Sequence, residues 1–171
     1  IPLYQQVIIP MEKANHKQVL AIGLNNIAIQ QLYVGALQSA ERNLKRSIDL
    51  TIEIQDKYWE AVGHQELGLL LTYRGVWDEI TNELFNAYRS FEKLGQIDSQ
   101  SIVKAYQTLH ALLMARSVSS IPSPIYLAEH SLELAEETAK KFFPMERNFI
   151  RAHWLLGAAY RANNEITLAE E

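Results

Sequence analysis

The chain has 171 residues, 48% of them apolar and 21% charged, with a formal net charge of −4 and no cysteine. That length and apolar content suffice for a buried core, and the scarcity of proline and low-complexity tracts argues against disorder. A disulfide framework is excluded, no run of about eighteen apolar residues offers a membrane span, and the mild acidity lacks the basic stripe that nucleic acid demands. The absence of cysteine agrees with a cytoplasmic location, which is the expectation here. Because the first residue is Ile1, the chain is expected to be a fragment or a processed product.

The opening segment, 1–13, carries Tyr4, Val7 and Ile8 forty places before Leu44, Ser47 and Ile48, and reads as the second helix of an earlier helix pair. Residues 15–33 then show apolar positions at helical spacing and end near Gly35, a residue suited to a left-handed C-cap. A second helix is predicted over 36–54, anchored by Ala40, Leu44 and Ile48. The pair recurs over 56–74, ending near Gly75, and 77–94, anchored by Ile80, Leu84 and Ala87. In this register Ala21-Ile22-Gly23 falls on Ala61-Val62-Gly63, Ile27-Ala28 on Leu67-Gly68, Tyr33 on Tyr73 and Gly35 on Gly75. Small residues meet small ones and large apolar residues meet large ones. A period of this length marks a stack of helical hairpins.

A third pair is predicted at about 98–117 and 123–141. There Ala128, Leu132 and Ala135 take up the spacing of Ala40, Leu44 and Ser47, but 48 places after Ile80. The extra length is assigned to SSIPSP, Ser119–Pro124, as an inserted loop that can carry specificity. A fourth unit opens near Glu146 and runs through Leu156-Gly157, Tyr160, Asn164 and Ala169. The reading is one repeat domain over 1–171, with units 14–54, 55–95, 96–143 and a partial 144–171, cut at both ends.

Gly68 lies in mid-helix, where glycine costs roughly 1 kcal/mol relative to alanine. With Gly157 and Ala28, it is expected to let neighbouring helices approach closely. His110 stands where a small residue is expected and should open that seam or face the inserted loop.

The residues Leu67-Gly68…Gly75…Ala87 and Leu156-Gly157…Tyr160…Asn164…Ala169, with the looser Ile27-Ala28…Gly35…Ala40, resemble the tetratricopeptide repeat (TPR). The unit is forty residues against the usual 34 or so, and the closing proline is missing. In its length the unit is similar to the sensor regions of large signalling ATPases and to kinesin light chains. The resemblance implies an all-α fold, a right-handed superhelical stack of antiparallel helix pairs. It also implies a non-catalytic module that binds a protein or peptide in a concave face lined by the first helices. The alternative implication is a sensor or regulatory arm of a larger signalling ATPase or transcription activator, whose phosphate-binding loop would lie elsewhere.

In this register the concave face offers Asn25, Asn26, Ile29 and Tyr33, then Gln65, Glu66, Leu69 and Tyr73. The third unit adds Gln107 and Met114, together with Lys104, Thr108 and Ala111, and the fourth adds Arg151, Trp154 and Arg161. Amides both donate to and accept from a peptide backbone, aromatics give broad contact at small entropic cost, and arginines hold carboxylates. TPR sites that grip a terminal carboxylate use a lysine and asparagine pair where this chain has Asn25 and Ile29, so that activity is not expected.

Nothing points to catalysis, a metal or a cofactor. Glu60 and His64 stand one helical turn apart, but no second ligand pair follows. His64 and His153, four residues before each glycine, are expected to pack, and Trp59, Trp77 and Trp154 read as seam or core. Ser119 and Ser120 lack a nucleophile motif, and Glu133, Glu136 and Glu137 read as a solvated face. Tyr4, Val7, Ile8 and Leu168 are expected to expose apolar seams that favour end-to-end self-association.

Overall fold

The computed structural model describes residues 6, 8–10, 12, 16–114, 123–142 and 144–170, with Asp78 and Glu170 described by their backbone alone. Its helices are α1 Lys17–Tyr33, α2 Leu37–Glu53, α3 Lys57–Arg74, α4 Trp77–Lys93, α5 Ile97–Met114, α6 Pro124–Lys141, α7 Glu146–Ala162 and α8 Ile166–Glu170. Residues 6, 8–10 and 12 are also helical, and no strand occurs among the described residues. The fold is all-α. No helix among the described residues is long and apolar enough to cross a membrane.

Helices begin at 17, 37, 57, 77 and 97, so each helix with its turn takes twenty residues. The forty-residue sequence period is therefore two equal half-units. The turns supply the reason. Gly35, Gln55, Gly75 and Gly95 have φ of +76°, +59°, +69° and +66°, and each closes a Schellman motif. The N–H after the left-handed residue returns to the carbonyl five positions earlier, as Ala36 does to Gln31 at 2.8 Å, Asp56 to Thr51 at 2.9 Å and Gln96 to Phe91 at 2.9 Å. Asn164, at φ +66°, does the same after α7, where Glu165 N–H donates to the Tyr160 carbonyl at 2.9 Å. Glycine and asparagine adopt this conformation readily; glutamine at 55 does so at a cost.

The twenty-residue beat breaks between α5 and α6. Of the inserted Ser119–Pro124 stretch, 119–122 lie outside the described residues, while Ser123 precedes α6 and Pro124 opens it, the position where proline is best tolerated. The buried set of α6 corrects the register by one residue. Leu127, Ala128, Ser131, Leu134, Ala135 and Thr138 are buried, so the expected anchors Ala128 and Ala135 do face inward, while Leu127, Ser131, Leu134 and Thr138 match Ile80, Leu84, Ala87 and Phe91 of α4 at an interval of 47 rather than 48. Leu132, the expected anchor between them, is only half-buried.

Two compact units divide the chain, Ile1–Ser90 and Phe91–Glu171. In the first, α1 packs on α2 and α3, and α2 packs on α3. Leu24, Leu44, Leu70, Leu71, Ile80 and Leu84 are all but completely buried. Ile8 packs with Leu20 and Leu24 and is 6% exposed. It is thus a core residue and not the open seam expected for self-association. Tyr4 and Val7 lie outside the described residues, while Leu168 is exposed as expected. In the second unit α5 packs on α6 and α7, α6 on α7, and α7 on α8. Here Ser101 and Ser131 exchange hydroxyl-to-carbonyl hydrogen bonds at 2.7 and 2.9 Å, joining α5 to α6 with no bulky side chain between them.

The mid-helix glycines of α3 explain its packing. A Cβ on Gly63 would lie 2.6 Å from Ile48 Cγ1 of α2, and one on Gly68 would lie 2.5 Å from Leu84 Cδ2 and 2.7 Å from its Cγ on α4. One glycine admits the preceding helix and the other the following helix. Every residue from Gln65 to Thr72 is consequently buried, the polar Gln65, Glu66 and Thr72 included, as in a helix enclosed on all sides and unlike a surface helix. Gly157 differs. Its added Cβ would meet only the Ala169 carbonyl at 3.4 Å, so the close approach expected there is much looser. Helix α5 starts on the twenty-residue beat, which puts Thr108 rather than His110 at the position of Gly68. Thr108 is fully buried, its hydroxyl turned back onto the Lys104 carbonyl at 2.8 Å.

Two stability predictions result. Gly68→Ala is expected to lower stability by about 1–3 kcal/mol despite its gain in helix propensity, because Leu84 is held on all sides. Gly157→Ala should be neutral or stabilising by up to about 1 kcal/mol. Equal effects of the two in urea denaturation would contradict this packing. Separately, Gln55→Gly should raise the denaturation midpoint by the equivalent of about 1 kcal/mol, while Gly75→Ala lowers it by a similar amount.

Candidate functional site

The first helices supply the candidate surface, and the structure sorts its residues by depth. In α1, Asn25 is buried at 1% exposure, Ile29 is half-buried, Asn26 is exposed and Tyr33 is 77% exposed. In α3, Gln65, Glu66 and Leu69 are buried, while Tyr73 is 59% exposed. The face is therefore not open throughout. In this arrangement Asn25, Gln65, Glu66 and Leu69 belong to the interior, and the two tyrosines at the helix ends stand out.

The buried polar group has its own geometry. Gln65 Nε2 donates to Glu66 Oε1 at 2.8 Å, between neighbours in sequence. Asn25 Oδ1 and Gln65 Oε1, at equivalent positions forty residues apart, are both buried with no hydrogen-bond donor among the described residues. Buried carbonyl oxygens without donors carry a desolvation cost of about 1–3 kcal/mol each. Their shared position follows from the repeat: what is inward at 25 is inward at 65.

His64 projects from the same helix to a different neighbour. Its Nδ1 lies 2.5 Å from Glu83 Oε2 of α4, both side chains being largely covered. The histidine thus ties a first helix to its own second helix. His153, at the equivalent place in α7, is exposed and not packed as expected. Glu60, the other half of the spacing that resembled a metal pair, instead accepts from Lys57 at 2.8 Å. Among the described residues no three His, Asp or Glu side chains converge on a common point.

In the second unit, Gln107 and Met114 of α5 are half-buried, and Gln107 Oε1 lacks a donor among the described residues. Arg151 of α7 lies with its guanidinium carbon 5.5 Å from the centre of the Tyr106 ring on α5, a cation–π contact joining the two first helices. Arg161 is exposed, and Trp154 is 64% exposed, so this tryptophan is a surface residue and not part of the core. Trp59 is half-buried, edge-on to Tyr58 with ring centres 5.7 Å apart. Exposed residues that the sequence reading does not single out include Ile150 at 69%, Tyr126 at 58% and Leu113 at 50%. Leu113 shares the repeat position of Tyr33 and Tyr73, so the exact twenty-residue beat was the signal that would have found it.

Two open hollows lie at helix starts. One, of about 560 Å³, is lined by His16, Lys17, Gln18, Val19, Ile54 and Asp56. The other, of about 490 Å³, is lined by Gly35, Ala36, Leu37, Gln38, Ser39 and Arg74. Neither pairs a nucleophile with a base. Asp56 is committed to structure, its carboxylate accepting from Trp59 N–H at 3.2 Å as a helix cap and from Gln18 at 2.9 Å.

Compared with known proteins, the chain matches no family model, and no curated protein shows significant similarity to it.

Burial holds the His110 imidazole below its ordinary value of 6.5. It does the same at His130, where Lys104 adds to the effect and Glu133 opposes it. In the unfolded chain both groups take up protons as pH falls through about 6.5. In the folded chain they resist until lower pH. Across that window the unfolded state binds more protons, so stability is flat above it and falls as pH drops through it. Replacing both with glutamine should flatten the dependence of the urea midpoint between about pH 7 and pH 5. An unchanged slope would assign the acid sensitivity elsewhere.

Proposed function

We propose that the chain is a non-catalytic, TPR-like interaction module that holds an extended protein or peptide segment against the first helices of a superhelical stack. The observation that carries the reading is the pairing of first helices, α1 with α3 at a forty-residue interval in one unit and α5 with α7 at a longer, 49-residue interval in the other. Side-by-side first helices repeat the same side-chain positions at regular intervals, the property by which repeat arrays read an extended ligand. Exposed aromatic side chains on those helices, Tyr33 and Tyr73 at a shared position and Trp154 at another, offer rigid contact area with a polar edge.

The interior depth of Asn25, Gln65 and Glu66 sharpens this reading. These residues are covered by neighbouring helices, and the contact falls to residues at the helix ends and to α7. Family membership, superhelical shape and binding are all part of the proposal.

Tyr33→Ala with Tyr73→Ala is the test. Both side chains are exposed, so the fold should hold to within about 0.5 kcal/mol. Peptides selected from a random displayed library on the wild-type chain should lose about tenfold or more in affinity for the double variant, as expected for aromatic anchors. Selected peptides that bind both chains equally would place the contact elsewhere.

A further inference from the structure

Helix α7 carries three arginines on one stripe. Arg147, Arg151, Trp154, Ala158 and Arg161 recur at intervals of four, three, four and three, which keeps them on a single face of an α-helix. Arg147, Trp154 and Arg161 are exposed, and Arg151 and Ala158 are half-buried. Elsewhere the basic side chains mostly find carboxylates: Lys17 meets Glu53, Arg46 meets Glu12, Arg74 meets Glu41, and Lys140 and Lys141 meet Glu136 and Glu137. None of the three arginines of α7 is ion-paired among the described residues.

Arg151 adds a second, independent observation. Its Nη1 is buried with no hydrogen-bond acceptor among the described residues, while its guanidinium lies over the Tyr106 ring. A guanidinium is permanently charged, and a buried N–H on it without an acceptor is costly. The ring face stabilises the cation but accepts no directed hydrogen bond from Nη1. Nη1 is the only atom of the group that is both fully covered and unbonded, so the ring fixes the guanidinium while its other edge stays reachable.

We infer that the α7 stripe binds an acidic, extended peptide segment, with carboxylates on the three arginines and an apolar side chain beside Trp154. The inference rests on the groove reading above and names the chemistry of its partner. Spacing makes it specific. With about 1.5 Å of rise per residue, Arg147 and Arg151 stand about 6 Å apart along the axis, and Arg147 and Arg161 about 21 Å. An extended strand advances about 6.7 Å for every second residue, all on one side. Carboxylates at the first, third and seventh residues of a strand therefore reach the three arginines. The fifth residue falls between Trp154 and Ala158, where an apolar side chain is covered. The motif is Glu-x-Glu-x-apolar-x-Glu, run in either direction. In a chain of net charge −4, such a stripe also discriminates, because the remaining surface repels an acidic partner that misses it.

The test uses a fluorescein-labelled peptide, Glu-Ser-Glu-Ser-Phe-Ser-Glu flanked by glycines, titrated into the whole chain and followed by anisotropy. Three competitors accompany it: the analogue with glutamine for every glutamate, a peptide of the same composition with the glutamates adjacent, and a single-stranded oligonucleotide. The proposal expects the spaced peptide to bind about tenfold or more tightly than either control peptide, and to weaken as salt rises. Arg151→Gln should remove at least that margin, and Arg151→Lys should not restore it, since the ammonium lacks the planar fork. Should Arg151→Gln disturb the fold, the double variant Arg147→Gln/Arg161→Gln at exposed positions must still abolish the preference for spaced glutamates. Equal binding of both acidic peptides, or arginine-dependent binding of the oligonucleotide alone, would overturn the proposal. If library peptides depend on Tyr33 and Tyr73 while the acidic probe does not bind, this inference falls and the groove reading stands. If the probe binds through α7 while the tyrosines prove irrelevant, this inference stands and the contact of the groove reading moves from the tyrosines to α7.

Discussion

A chain that reverses direction every twenty residues needs, at each reversal, one residue whose backbone accepts a positive φ. Gly35, Gly75 and Gly95 do so at no steric cost, Asn164 at little, and Gln55 against its preference. Each is locked by a hydrogen bond from the next residue to a carbonyl five positions back. This closed turn fixes the length of each helix and the angle at which the next one leaves. Side-chain register, hairpin packing and the alignment of first helices all inherit from it. Where the beat is interrupted, after α5, the buried set of the following helix falls 47 residues after that of α4 and not forty.

Close approach then packs neighbouring helices against one another within each unit. Gly63 and Gly68 lie five residues apart, and so face different neighbours, Ile48 behind and Leu84 ahead. A helix admitting backbone-level contact on two sides must bury its centre, and α3 does so over eight consecutive residues. The second unit reaches a similar closeness with other means: Ser101 and Ser131 trade hydroxyl bonds across the α5–α6 seam. Dispersion over such seams offsets the helix propensity that glycine and serine forgo.

Much of the fold was legible in the sequence because its period is written in residues with sharp physical requirements. Glycines at 35 and 75 located the hairpin turns, and the apolar anchors of α2 and α4 located the buried faces. The register of α5 and α6 was harder to read. No glycine stands at 108, which leaves His110 as the apparent seam residue, and Ala128 and Ala135 are buried as anchors while Leu132 is not. The candidate surface was legible only in outline. Periodicity tells which residues share a position but not how deep that position lies, and depth depends on how closely the neighbouring helices approach. Asn25 and Gln65 are inward for that reason, although their amides would suit a binding face. Arg147 went unnoticed because the lack of an ion pair on it is a property of three-dimensional neighbours.

The enclosure of α3 also sets the order in which the first unit comes apart. Amide hydrogens from Gln65 to Thr72 are shielded by side chains on every side as well as by the helix itself, whereas the exposed ends of α1 and α2 open to solvent with small fluctuations. Solvent exchange should therefore proceed inward along a gradient and leave this central turn for last. The most persistent nucleus of the unit is a helix that carries two glycines at its heart.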